Sequence, residues 1–393
     1  MNHSILAPEV QRFLLDRADM TPSELALSKS PFADVSAAEL AQQLDGRQRC
    51  RRKLPLWHRT PGIYYPEKVS IEQTSSEATA RYKAALIPTG GNLADLTGGF
   101  GVDAYFFARQ AANVVHCERN SELSRIAQHN AAVLGTSNIR FIASDGVSYL
   151  LDQPADAFDL VYIDPSRRVQ QHKVFRLEDC EPDIVALEDR LLKKARIVLT
   201  KAAPLLDISL AINTLNYVRE VHVLSVSNEC KEVLLLKDRH HAGDPLITAA
   251  VLTEGEPRTF AFHQAEEKTA SLRTGRPERY LYEPDAALLK AGAFKLIAER
   301  YGLKKLHKHT HLYTSGTLDR DFPGRVFQVD QVAQYADFKR SKTRIQANIA
   351  ARNFPMKADD LRRRHRIDEG GPVYLFFCKG PDDAPLVIFA SKC

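Results

Sequence analysis

Carboxylates stand where apolar runs of this chain end, and a glycine-rich turn lies among them. Asp95 falls in Leu93-Ala-Asp-Leu96, Glu118 follows Val114-Val-His-Cys117, Asp145 sits in Ala143-Ser-Asp-Gly146, and Asp164 lies in Tyr162-Ile-Asp-Pro-Ser-Arg-Arg168. Between the first two, Thr97-Gly-Gly-Phe-Gly101 runs into Val102-Asp-Ala-Tyr-Phe-Phe-Ala-Arg109, which reads as strand, tight turn and helix. Such a turn brings bare backbone amides and a helix amino terminus up to a ligand and suits a carboxylate or phosphate. A carboxylate at Glu118 can accept both hydroxyls of a ribose, and Asp145 can accept an adenine amino group. One acid after a strand is usually just solvated; three in register with a glycine turn favour a nucleoside cofactor.

Asp95, Gly99 and Gly101 fit D-x-x-x-G-x-G in full, whereas a G-x-G-x-x-G dinucleotide fingerprint meets Ala104 in its last place. Here the chain resembles the class I S-adenosylmethionine-dependent methyltransferases. That resemblance implies that Asp95 takes the ammonium of the methionine moiety. It implies that Thr97, Gly99 and Gly101 let the backbone approach the cofactor, and that Glu118, Asp145 and Gly146 hold the nucleoside. Gln73, Ser75 and Ser76 sit where a segment closes over the methionine end, although a plain helix cap suits them equally. Many family members that methylate base amino groups carry [D/N]-P-P-[Y/F/W] after the fourth strand. Asp164 and Pro165 match it, while Ser166 and Arg167 replace the second proline and the aromatic. Arg167 can stack on a base or hold a phosphate, or pair with an acid, as can Arg168. No cysteine follows the fifth strand at Thr200-Lys-Ala-Ala-Pro204, so direct transfer is expected over a covalent route.

Strands alternating with helices from Leu93 to Leu199 imply an α/β fold, a doubly wound parallel sheet with ligands at the carboxyl ends of its strands. Val221–Val226 and Glu232–Leu236 form an antiparallel terminal hairpin, as the resemblance implies. Residues 1–62 read as a helical preface, with Thr21 and Glu24 as a capping box. Ile63–Glu72 reads as extended, and Thr74-Ser-Ser-Glu77 as a box opening a helix at 78–86. Beyond 240 the pattern changes: 265–278 reads as a linker, Pro284–Tyr301 as one amphipathic helix, and 336–351 as a basic helix.

Ser70–Glu77, Asp164–Arg168, Tyr280–Ala287 and Arg352-Asn-Phe-Pro355 together resemble a bacterial methyltransferase group with a carboxyl-terminal THUMP-like domain, common among the Bacteroidetes. The resemblance implies a Rossmann-like methyltransferase domain at 63–264, a ferredoxin-like segment at 278–323 and a small α+β THUMP-like RNA-binding unit at 324–393. True THUMP domains bind structured RNA, so transfer or ribosomal RNA is the expected partner.

The chain has 393 residues and a net charge of +5, with 44% hydrophobic and 26% charged residues, an ordinary globular composition. Its positive charge is clustered. Arg47, Arg49, Arg51, Arg52, Lys53 and Arg59 lie together without an acid, and a second stretch includes Arg352, Lys342, Arg362, Arg363, Arg364 and Arg366. Both are candidate polyanion surfaces, against the plainer reading of solvated helix faces. No apolar run approaches about 18 residues and no signal peptide is evident, so a cytoplasmic protein is expected, without a membrane partner. Six scattered cysteines indicate neither disulfides nor zinc, and the alternating His307, His309 and His311 read as a polar edge rather than a metal site. Competing functions are methylation of a small molecule or protein, and non-catalytic RNA binding by a vestigial cofactor fold.

Overall fold

A computed structural model describes residues 1–167, 177–341 and 344–393; Arg168, Lys342 and the side chain of Arg167 lie outside the described residues. The chain divides into two compact units, residues 1–219 with 234–242, and residues 220–233 with 243–393.

In the first unit, β1 (Asn92–Asp95), β2 (Asn113–Cys117), β3 (Ile139–Ile142) and β4 (Phe158–Ile163) precede a short antiparallel pair, β5 (Ser166–Arg167) and β6 (Cys180–Glu181), and then β7 (Ala195–Ala202). The order β7-β4-β1-β2-β3 is parallel throughout. Helices between consecutive strands supply the crossovers that parallel pairing requires. The amino-terminal helices belong to this same unit. Two begin with complete capping boxes, Thr21 with Glu24 and Ser36 with Glu39, which satisfy amides that the first turn leaves open. Trp57, 1% exposed, packs edge-on against Tyr105 of the helix Val102–Ala108 that follows the glycine turn.

Of the stretch expected to be extended, Ile63–Pro66 falls in neither a helix nor a strand, and Lys68–Gln73 is helical. The next helix, Glu77–Ala85, is capped two residues later than the sequence indicates: Ser76 accepts the Thr79 amide, while Glu77 pairs with Arg81 and accepts the Leu56 amide.

β8 (Val218–Val226) and β9 (Glu229–Asp238) are neighbouring strands, of which residues 220–233 fall in the second unit; they are joined at Ser227-Asn228, both in the left-handed region that a two-residue hairpin turn demands. From Glu220 onward β8 pairs parallel with β10 (Leu246–Leu252), which pairs antiparallel with β11 (Arg258–His263). A second sheet comprises β12 (Tyr280–Pro284), β13 (Lys304–His307), β14 (Thr310–Ser315), β15 (Gly324–Gln334), β16 (Asn348–Arg352), β17 (Val373–Lys379) and β18 (Pro385–Lys392), ordered β13-β14-β12-β15-β18-β17-β16. Leu281, Leu306 and Leu312 share one core with Phe327, Phe376 and Ile388.

Three expectations fail here. Gly292, at φ +87, splits the expected 284–301 helix into Ala286–Ala291 and Leu296–Arg300. The expected linker contains a helix, Gln264–Thr269. Among the described residues of the expected basic helix, only those in Tyr335–Phe338 are helical; Asn348–Arg352 instead pairs parallel with β17, where sheet pairing overrides local helix propensity.

Candidate active site

Register brings the acids of the first unit together. Asp95 is paired with His116 on one side and Tyr162 on the other, residues that lie two before Glu118 and Asp164 in the sequence. All three carboxylates therefore emerge at the carboxyl ends of adjacent strands, where open parallel sheets bind their ligands.

The glycine turn is shaped for close approach. A Cβ at Gly98 would stand 2.2 Å from the His116 imidazole, and Gly101 has φ +81 where it starts the helix. Glu118 holds one amide of the bend, accepting from Gly99 N–H at 3.0 Å, and with its other oxygen accepts from Asn120 N–H, two residues further along its own segment, at 2.7 Å. Thr97 lies between strands: its Oγ1 accepts the Asp164 amide at 2.7 Å, and its own amide donates to Asp95 Oδ1 at 3.1 Å.

Asp95 is 1% exposed, and its Oδ2 has no hydrogen-bond partner among the described residues. Burial, then the neighbouring Asp103 carboxylate, hold its carboxyl well above the usual range. Asp103 has the opposite environment. Lys83, with a fully buried side chain, lies 3.0 Å from it; Ser75 Oγ donates at 2.7 Å and Tyr162 Oη at 2.9 Å. Burial alone would raise Asp103, but Lys83, Lys201 and the Ser75 hydrogen bond outweigh it and hold the carboxyl below its ordinary value.

Asp164 is half-buried and ion-paired with Lys201 of β7. Pro165 is buried and Ser166 exposed, its hydroxyl donating to the Glu181 carbonyl at 3.3 Å. Asp145 caps the helix Gly146–Leu151 through the Ser148 amide at 2.7 Å and receives Arg119 Nε at 2.6 Å. Burial opposes its ionisation, but these hydrogen bonds and the Arg119 charge prevail and lower it. Gly146 is buried so tightly that a Cβ would meet the Leu96 carbonyl at 2.1 Å. Of the segment before the turn, Ser75 reaches the buried network, Ser76 caps its helix and Gln73 is exposed.

Sequence reasoning passed over Lys83, Asp103, Tyr162 and Lys201. One signal was present for Lys83: it shares the 79-80-83-84 helical face with Thr79, Ala80 and Ala84, and a lysine on a buried face requires a buried acid.

The predicted RNA-binding residues divide by their partners. Arg352 Nη2 lies 2.7 Å from Glu283, while Arg362 pairs with Asp359 and Glu369, and Arg363 with Asp360. Arg51 and Arg52 in the first unit, and Arg364 and Arg366 in the second, are exposed and form no ion pair among the described residues. The three histidines do not share a strand: His307 ends β13 and His311 lies on β14 against Phe294. Among the described residues no group of three or more His, Cys, Asp or Glu is placed to hold a metal, and no helix is long and apolar enough to cross a membrane. A shallow cleft of about 370 Å³ is lined by Asn92, Asn113, Ile139 and Phe158, at the amino ends of the strands and therefore away from the acids.

A parallel sheet with a glycine turn after β1 and acids after β1, β2 and β4 defines a class I methyltransferase domain. The buried, unpartnered oxygen of Asp95 suits the ammonium of S-adenosylmethionine. Residues 280–323 match a ferredoxin-like domain family and residues 324–392 a THUMP domain-like family. The crystal structure of a candidate methyltransferase from Porphyromonas gingivalis W83 is 32% identical, with a TM-score of 0.88 over 100% of this chain and 99% of that one. An uncharacterized S-adenosylmethionine-dependent methyltransferase of Mycobacterium tuberculosis H37Rv is 25% identical over 311 residues, 77% of this chain and 81% of that protein. The chain belongs to the family of S-adenosylmethionine-dependent methyltransferases with a carboxyl-terminal THUMP-like domain, and S-adenosylmethionine is its cofactor.

Proposed function

We propose that this enzyme methylates a base nitrogen of a structured RNA, a transfer or ribosomal RNA, by direct in-line transfer. The observation that carries the acceptor assignment is the fixing of Asp164 beside the cofactor end of β1: its amide donates to Thr97 and its carboxylate is ion-paired with Lys201. Bound S-adenosylmethionine supplies an activated methyl group. The protein's task is then to position a nitrogen lone pair against it. Asp164 and the Pro165 carbonyl accept the hydrogens of an exocyclic amine, and in the sequence Ser166 and Arg167 follow them in place of a proline and an aromatic.

RNA is favoured over a small molecule or protein by the THUMP-like module, and by the exposed Arg51, Arg52, Arg364 and Arg366, which form no ion pair among the described residues. Asp95, Thr97, Gly99, Gly101, Glu118, Asp145 and Gly146 form the cofactor side, with Ser75 more closely placed than Gln73 or Ser76. An unpaired loop or end spares the cost of unstacking a base.

The test is labelled-methyl transfer to RNA from cells lacking the gene, followed by nucleoside analysis. A methylated base nitrogen is expected. A label on a base carbon or ribose hydroxyl, or none in RNA, would overturn the reading.

A further inference from the structure

The acids at the carboxyl end of the first sheet are unevenly paired. Lys83 is engaged by Asp103, Ser75 and Tyr162, and Lys201 by Asp164. Asp95 receives one backbone amide on Oδ1, while its Oδ2 is buried with no partner among the described residues. Asp103 from the following helix and Asp164 from the end of β4 both repel a charge there, and Lys83 only partly offsets them. An ionised carboxylate with an unsolvated oxygen beside two like charges is unfavourable, and such a group neutralises by taking a proton.

We propose that Asp95 carries a proton in the cofactor-free protein and surrenders it when the cofactor's ammonium arrives, so that S-adenosylmethionine binding releases a proton to solvent. The inference rests on Asp95 being the partner of that ammonium. Only the carboxyl O–H bond breaks: the electron pair stays on Asp95, the proton passes to buffer, and the ammonium keeps its own three hydrogens.

The other groups facing Asp95 do not supply this proton. His116 of β2 is held near 4 by burial and is already neutral; the Cys117 thiol is pushed up to about 12 by burial and then by Asp95 itself, so it keeps its proton. Asp103 is held below the ordinary carboxylate value and is ionised throughout. Lys83, Lys201 and Asp164 meet it as members of ion pairs, and Tyr162 as a hydrogen-bond donor. Because the free protein holds the proton and the complex does not, affinity tightens with rising pH, by about tenfold per unit wherever free Asp95 and the free cofactor's amino group are both protonated. Cofactor loading thereby becomes sensitive to acidification.

The test is calorimetric titration near neutral pH in buffers of differing ionisation enthalpy, whose slope counts protons. S-adenosylmethionine and S-adenosylhomocysteine should each release about one proton. 5′-Methylthioadenosine, which lacks the ammonium, should release none. Asp95→Asn should bind the cofactor without proton release. Binding to the native protein with no release would overturn the inference while leaving the cofactor assignment intact; no binding at all would overturn both. Release with 5′-methylthioadenosine, or undiminished release in Asp95→Asn, would move the proton to another group. Should Asp95→Asn misfold, the contrast between the two ligands on the native protein decides alone.

Discussion

Asp95 on β1 and Glu283 on β12 are equally hidden, each 1% exposed, yet their surroundings are opposite. Glu283 is saturated: Arg325 Nε reaches Oε2 at 2.8 Å and Arg352 Nη2 reaches Oε1 at 2.7 Å, tying three strands of the second sheet together. Asp95 keeps one oxygen without a partner among the described residues. A buried charge with good partners is consistent with structure alone, whereas a buried acid left open implies a ligand that completes it. Arg352 looked like an RNA contact in the sequence, and its partner now gives it a structural role.

The sharpest way to separate the two corners is Asp164→Ala. It should reduce methyl transfer by about 100-fold or more through lost positioning, while cofactor affinity and the unfolding midpoint hold. Parallel transfer assays and calorimetry check this, and turnover at the parent rate would remove Asp164 from the acceptor.

Asp95→Ala should weaken S-adenosylmethionine binding by ~1.5–3 kcal/mol, the range for hydrogen bonds to charged groups. Stability should be unchanged or higher, since a buried oxygen without a partner is removed. Calorimetric affinity together with thermal melting reads both, and a destabilised variant would erase the contrast with Glu283.

Glu283→Gln should do the reverse. It should lower stability by about 1–3 kcal/mol, toward the low end because the Arg325 and Arg352 side chains, 33% and 37% exposed, can turn to water. Cofactor affinity should stay put. Denaturant unfolding measures the loss; an unchanged midpoint would show that the two pairs contribute little.

The smallest effects are expected in the tail. Removing Arg364 and Arg366 should flatten the salt dependence of RNA binding by a slope of about 0.7 per lost single-strand contact. Arg362→Ala or Arg363→Ala should change it less, because Asp359, Asp360 and Glu369 already neutralise them. Equal slopes for all four would mean that internal pairing does not govern their availability.

Much of the site was legible because its signals are local. The glycine turn, the acids ending strands and the β-strand-to-helix alternation each occupy a few consecutive residues, and their backbone requirements follow from residue type. Gly98 shows where that legibility stops: it reads as a turn residue, but the constraint on it is the imidazole of His116, brought beneath it from the next strand. Asp145 likewise reads as a ligand acid, whereas the fold engages it with a helix cap and Arg119.

By itself the sequence determined the parallel α/β order, the glycine turn after β1, the capping box at Thr21 and the carboxylates at the strand ends, all consequences of short-range backbone chemistry. Only the tertiary structure decided which charges are paired. Lys83 meets Asp103, Lys201 meets Asp164 and Arg352 meets Glu283 across long stretches of chain, while Asp95 is left open. Local propensity carries no information about such partners, because the pairing exists only where packing excludes water and brings distant strands and helices within hydrogen-bond reach.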